Sequence, residues 1–444
     1  MGCGSSTHAG ALAAPRAHAG PVRPGPRGPR PAALPVTADA APRNRLTCIV
    51  VHWNPQRYQR RARLFNECVE RLAETKVRLA RAAAARRVPA DLAVGLNVVA
   101  VELVYGDLPS ELALDRVANA VRVIQRRLPE RHVMWAKEQL INLALRSLPA
   151  DEEHVAWLDG DIGFESDAWV EETVRVLRAD PLGFGQPWDT CTMLGPNEER
   201  LERVTSFSKQ HSYGKKYRAR DRKDPEYWHP GFAWCATTQA LRKVNGLIEK
   251  TLGSADLHMA ASVLGLADLS IPSEISAAYR DSILQWQSRA LEAGLRLVVV
   301  PNQRIHHFFH GAMRNRQYVG RWRVLVEHEY DPARDVEWRP DLGLYVWSDA
   351  APQDMIDATC EYFRGRREDS DAMDQAGPEG DDERHHPHHD GGDHHHGDHH
   401  HDERGGDDRG DGGSSGTPDD GRGLAFDPPV DPLTALPEYW NGYA

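Results

Sequence analysis

The chain has 444 residues, 27% charged, 40% apolar and 7% aromatic, with a formal net charge of −11. That charge is uneven: 1–45 carries +5, 46–368 balances 44 basic against 44 acidic residues, and 369–444 carries −16. A neutral centre lacks the basic field that nucleic-acid binding needs, and no apolar run approaches the ~18 residues of a membrane span. Nothing near Met1 reads as a secretory signal, and six cysteines without a CxxC pair suit reduced thiols in a cytoplasmic setting.

Composition divides the chain into four parts. Residues 1–45 are Ala, Pro, Gly and Arg and are expected to be a disordered leader. Its opening MGCGSS matches an acylation pattern, with Gly2 as acceptor and Cys3 beside it. Acylation there would give peripheral membrane contact; a chance match or an Arg-rich transit peptide are the other readings. Residues 46–368 have the composition of a globular domain. Residues 369–421 are Asp, Gly and His, with ten His between His385 and His401, and are expected to be disordered. Such a tail either binds divalent metals loosely or is simply solvated. Residues 422–444 regain apolar character around Tyr439 and Trp440 as a short C-terminal segment.

Within 46–368 the predicted elements follow in order. Leu46–His52 is a β-branched apolar run, hence a buried strand. Residues 56–87, rich in Arg, Glu, Leu and Ala, predict a helix, and Asn97–Val104 a second strand. Val133–Leu148 has helical spacing and stops at Pro149. Val155–Leu158 is a strand too apolar to face water, broken by Asp159-Gly160-Asp161. Asp167 then predicts an N-cap for a helix over Ala168–Leu177, and Leu295–Val300 predicts another apolar strand before Pro301. Strands alternating with helices imply an α/β fold with a mostly parallel central sheet covered on both faces. In such sheets ligands bind beyond the carboxyl ends of the strands.

The polar residues just beyond those strands are therefore the candidates. Asp159 and Asp161 can share a hard divalent cation and a sugar or ribose hydroxyl, with Gly160 permitting a tight turn; an acidic loop capping the next helix is the bland reading. His306, His307 and His310 follow the last strand, and imidazole with carboxylate suits Mn²⁺-like ions. His310, next to Gly311, is the preferred ligand, whereas His306 and His307 are equally readable as half-buried packing residues. Arg314, Arg316 and Arg321 either grip phosphate oxygens or form a solvated helix face. Asp256, in Gly253-Ser254-Ala255-Asp256, is readable as a general base in an acidic loop or as the N-cap of a helix from Leu257.

Taken together, MWAKEQLINLALRSLP (134–149), VAWLDGDIGFESDAWVEET (155–173), HPGFAWCATTQALRKVNGL (229–247), LGSADLHMA (252–260) and HHFFHGAMRNRQYVGRW (306–322) resemble the nucleotide-sugar glycosyltransferases of the GT-A fold. The likeness is to a bacterial and large-virus group with a galactosyltransferase-like C-terminal half, and YFRGRRED (362–369) would close the domain. The resemblance implies that Asp159 and Asp161 bind the metal and the nucleotide sugar, with Asp161 nearest the ion, and that His310 completes the metal site. It implies Asp256 as catalytic base of an inverting enzyme, and Asn54, Arg57 and Gly231 on the donor; by charge, Arg314 or Arg316 would assist there. The cofactor would be Mn²⁺ or Mg²⁺, and the partners a nucleotide-diphosphate sugar and a glycan, protein or lipid hydroxyl. Two departures stand out: Ala255 where relatives have Gly or Glu, and an Ala/Arg-rich insertion over 76–95. A catalytically inactive sugar-binding relative with a metal-binding tail is the alternative. A nucleotidyltransferase is weaker, because no Gly-rich, Lys-containing phosphate loop is visible near the first strand.

Overall fold

Every side chain from Leu46 to Trp53 is buried, and alternate ones enter different cores. Ile49 and Val51 pack with Leu140, Trp234 and Trp286; Cys48 and Val50 pack with Phe65, Trp169 and Leu177. A strand that fills a core on each side has no face left for water, which explains the unbroken apolar run. The computed structural model describes residues 44–87, 93–113, 119–219, 226–250, 252–317 and 320–371. Gly2, Cys3, the His-rich stretch, the segment around Tyr439 and Trp440, and part of the expected 76–95 insertion lie outside them.

In chain order the elements are β1 (Arg45–Trp53), α1 (Gln59–Ala85), β2 (Gly95–Tyr105), β3 (Val121–Leu128), α2 (Lys137–Arg146), β4 (His154–Leu158), β5 (Ile162–Phe164), α3 (Ala168–Ala179) and β6 (Gly183–Gln186). There follow β7 (Thr190–Leu194), β8 (Arg200–Thr205), α4 (Phe207–Ser212), β9 (Ala233–Thr237), α5 (Thr238–Val244), α6 (Ala255–Val263), α7 (Ala277–Ala293) and β10 (Arg296–Val299). The last are β11 (Arg304–His307), α8 (Gly320–Glu327), β12 (Val336–Arg339), β13 (Leu344–Trp347) and α9 (Gln353–Gly365).

Seven strands form the central sheet in the order β10-β6-β9-β4-β1-β2-β3. It is mostly parallel, as expected, but β9 runs antiparallel between β4 and β6. That reversal has a consequence for position. The loop entering β9, Pro230 to Phe232, arrives at the same sheet edge as the residues leaving β4, because Leu158 pairs with Ala233. A second sheet, β5-β11-β7-β8, carries the strand that ends at His307.

Four local expectations change. The segment from Val133 to Ala136 precedes α2 instead of belonging to it, and Trp135 turns toward the site described below. Asp167 occupies the N-cap position of α3 without capping; its carboxylate accepts from Thr75 Oγ1 at 2.8 Å and pairs with Arg78 on α1. The Leu295–Val300 run is an edge strand, β10, whose side chains are half-buried or exposed. Asp256 is no loop residue; it sits in the first turn of α6, which starts at Ala255. Among the described residues no helix is long and apolar enough to cross a membrane.

Candidate functional site

β4 delivers Asp159-Gly160-Asp161 into the site and then stops pairing as a regular strand. The Asp159 N–H donates to Phe232 O at 2.8 Å, and the Phe308 N–H donates to Asp161 O at 2.8 Å. The acidic turn is thereby tied on one side to the β9 entry loop and on the other to the chain leaving β11. Gly160 is needed for closeness: a Cβ there would lie 3.3 Å from the Phe65 Cα. Its φ is not among the positive ones, so a left-handed turn is not the reason.

The entry loop is itself fixed from below. Buried Gln186 donates to the carbonyls of His229 and Gly231 at 3.1 and 3.2 Å, and Trp234 Nε1 donates to Pro230 O at 2.7 Å. Phe232 is held at φ 79° and Ser254, just before α6, at φ 64°. Both are unfavourable for residues with a Cβ, and such strain collects at functional sites.

Asp161 is the centre of the electrostatics. Its Oδ2 lies 2.9 Å from His310 Nε2 and its Oδ1 3.8 Å from His307 Nε2. One ligand atom from each of the three residues lies within 4.8 Å of the others. Burial works to raise Asp161, but His310, His307 and Arg316 outweigh it and hold the carboxyl far below its usual range. Burial, with help from Arg316, lowers His310, which favours the neutral ring that a metal requires. Asp161 Oδ1 is buried and accepts no hydrogen bond among the described residues. A carboxylate with an unsatisfied oxygen and two imidazoles is a donor set that suits a divalent transition ion. Arg316 Nη2 donates to His310 Nε2 at 2.8 Å. Ligation through that nitrogen requires Arg316 to give up this bond.

His306 goes elsewhere, with Nε2 3.3 Å from Glu165. Asp159, expected as a second metal ligand, is outside the Asp161–His307–His310 group. Its Oδ1 is instead 2.7 Å from Lys137 Nζ, and the same ammonium is 2.9 Å from Asp256 Oδ2. Burial, opposed by Lys137 but reinforced by Asp161 and Asp256, pushes Asp159 above the ordinary carboxylate range. Burial alone would lower Lys137; Asp159 and Asp256 more than reverse that and keep the ammonium charged.

These groups share a cavity of about 230 Å³. Asp159, Asp161, Asp256, Gly231, His307, His310 and Arg316 all line it, with Trp53, Trp135 and Trp322 among its aromatic walls. Arg314 does not line it. Neither do Asn54 and Arg57, which are engaged with Glu111: Asn54 Nδ2 donates to its Oε2 at 3.0 Å and Arg57 Nε lies 3.1 Å from its Oε1. The preceding His52 and Trp53 reach the cavity instead. Sequence reasoning missed Lys137, Glu368 and the aromatic walls. The apolar run before Trp135-Ala136-Lys137 hid the lysine inside a helix pattern, and no local signal marks Glu368.

No protein-family model and no curated protein matches the chain. Among solved structures, a Drosophila β-1,4-galactosyltransferase 7 variant in complex with manganese, UDP-Gal and xylobiose is 11% identical, with a TM-score of 0.27. The match covers 58% of this chain and 66% of that one, just under two thirds of its length. A putative nucleotide-diphospho-sugar transferase from Desulfovibrio desulfuricans is 9% identical over 72% of this chain and 97% of that one, TM-score 0.27. A putative glucose-1-phosphate thymidylyltransferase from Bacillus anthracis in complex with a sucrose is 10% identical over 57% and 86%, TM-score 0.25. At such identities and scores, the role of each residue rests on the geometry of the site itself.

Proposed function

We propose that this chain is a metal-dependent glycosyltransferase of the GT-A kind, moving a sugar from a nucleotide-diphosphate donor to a hydroxyl acceptor with inversion. One observation carries the reading. A single cavity at the carboxyl end of β4 contains the Asp161–His307–His310 donor set and, bridged to the same acidic turn through Lys137, Asp256.

Asp161, His307 and His310 would hold the divalent ion, Mn²⁺ or Mg²⁺, with the two imidazoles favouring Mn²⁺. When bound, that ion supplies positive charge at the departing diphosphate, the role of a Lewis acid. The remaining chemistry belongs to the chain. Arg316, once released from His310, has a guanidinium fork suited to diphosphate oxygens. Asp159, whose Oδ1 is held by Lys137, would use Oδ2 to accept from a sugar hydroxyl. Asp256 takes the proton of the acceptor hydroxyl as its oxygen attacks the anomeric carbon. The bond from that carbon to the diphosphate breaks on the opposite face, and the electron pair leaves with the nucleotide.

The test is nucleotide release. The full chain is incubated with Mn²⁺ and a panel of UDP- and GDP-sugars, with and without a chelator. Release from at least one donor that the chelator abolishes is the expected result. Release from none of them would overturn the transferase reading and leave a sugar-binding protein.

A further inference from the structure

We infer that Lys137 is a positioning residue that aims the Asp256 carboxylate at the acceptor; this rests on the transferase reading above. Lys137 is the first residue of α2, and its side chain is only 8% exposed. It reaches the cavity because Val133 to Ala136 are not helical, which sets the start of α2 at the cavity wall.

The two oxygens of Asp256 differ in surroundings. Oδ2 is fixed by Lys137 at 2.9 Å. Oδ1 is buried and has no hydrogen-bond partner among the described residues. An unsatisfied buried oxygen costs free energy unless something arrives to bond it. A base needs one oxygen held and the other left for a proton; Asp256, on the cavity wall, has Oδ2 held by Lys137 and Oδ1 without a partner among the described residues. The same ammonium pairs with Asp159 Oδ1 at 2.7 Å, so one cation ties the base to the acidic turn.

A purely structural role explains Lys137 less well. Burying an ion pair seldom stabilises a fold more than well-packed apolar groups of similar volume. Its neighbours in α2, Leu140, Ile141, Leu143 and Ala144, already anchor that helix in the core. The cation also sits on the cavity wall, where its position affects whatever binds there.

The step itself balances without further reagents. With water as acceptor, its oxygen bonds to the anomeric carbon, its proton passes to Asp256 Oδ1, and the nucleotide diphosphate departs with the electron pair.

The experiment is a double-mutant cycle on the full chain, reading Mn²⁺-dependent nucleotide release from the most active UDP- or GDP-sugar of the panel. Misaiming a reacting group by about 1 Å costs on the order of 10²-fold, so Lys137→Met should lower kcat by about that factor. The donor KM should move only a few-fold. Lys137→Arg, which keeps the charge, should recover part of the loss. In an Asp256→Asn background, Lys137→Met should cost little more, because Lys137 acts through Asp256. Thermal melting checks that each variant is folded, and Lys137→Gln replaces Lys137→Met in the cycle if the latter is not. Losses that multiply independently, or a loss confined to KM, overturn the inference while leaving the transferase reading intact. A wild-type chain that releases no nucleotide overturns both.

Discussion

Glu368 Oε2 faces His310 Nδ1 at 3.8 Å, so the segment that follows α9 backs one of the three residues of the Asp–His–His group. Burial would raise Glu368, but Arg61, Arg366 and His310 outweigh it and hold the carboxyl well below its usual range. Arg61 pairs with it at 3.1 Å. Gly311, at φ 94°, lets the two segments meet: a Cβ there would stand 3.2 Å from both Arg367 O and the Glu368 Cα. Asp369 then accepts from the Gln59 and Arg60 N–H groups at 2.9 and 2.7 Å and caps the start of α1.

Carboxylates hydrogen-bonded behind a metal-binding histidine orient the ring, and losing one typically costs about 10–100-fold in metal affinity; at 3.8 Å Glu368 is beyond hydrogen-bond length, so the lower end of that range applies. Glu368→Gln should therefore weaken Mn²⁺ binding by about that factor in calorimetric titration, with the fold retained. An unchanged affinity would mean that His310 needs no support from this end of the chain.

Removing a member of the Asp–His–His group should do more. Asp161→Asn, His307→Ala and His310→Ala should each abolish chelator-sensitive nucleotide release, while His306→Ala, whose ring faces Glu165, should leave it within a few-fold of wild type. If His306→Ala matches the other three, the group has been drawn with the wrong histidine.

Asp256→Asn keeps the shape of the side chain and removes its basicity. General-base help is worth about 10²–10⁴ in rate, so turnover should fall in that range while donor affinity persists. Calorimetry with the best donor, beside the kinetics, separates the two. Normal turnover would exclude an inverting mechanism through this residue.

Stability should also depend on pH through His258. It is fully buried, between Ser270 Oγ at 2.8 Å and Tyr279 OH at 3.1 Å. Burial, then Arg321, pushes its pKa down to about 3. In the unfolded chain the ring takes its proton near the ordinary histidine value of about 6.5. The unfolded state thus binds more protons between those values, so this contribution is whole above about pH 6.5 and is lost as the pH falls toward 3. Within the window each pH unit costs up to about 1.4 kcal/mol. Denaturant melts from pH 7 to pH 4 should show a shallower slope for His258→Gln than for wild type. Some slope should persist, because His154 is pushed down to about 4, chiefly by burial. Identical slopes would mean that the His258 ring does not carry the effect.

Three strands in the middle of the sheet were legible because both their faces are buried, whereas β6 and β9, just as buried, were not read as strands. β1, β2 and β4 read as apolar runs, and the structure differs from that reading by a residue or two at the ends. β3 was not, since VRVIQRRL carries three Arg and buries only Val121, Ile124 and Leu128, as suits an edge. Asp161 stood out because it follows an apolar strand; His310 stood out from its place after Leu295–Val300, although the strand that leads to it is β11, which was not read. His307 stayed open because a ring packed 4.9 Å from Phe232 and a ring facing Asp161 have the same sequence neighbourhood. Asn54 and Arg57 were assigned from their place after β1, but their side chains turn to Glu111, a partner that no local pattern reveals. The Lys137 bridge and the Glu368 contact join distant parts of the chain, so only the tertiary structure brings them into view.

The most direct measurement is an anomalous-scattering map from crystals of the full chain grown with Mn²⁺. A manganese peak bonded to Asp161, His307 and His310 is the expected result. Manganese bound in the cavity by other side chains, with these three turned away from it, would contradict it.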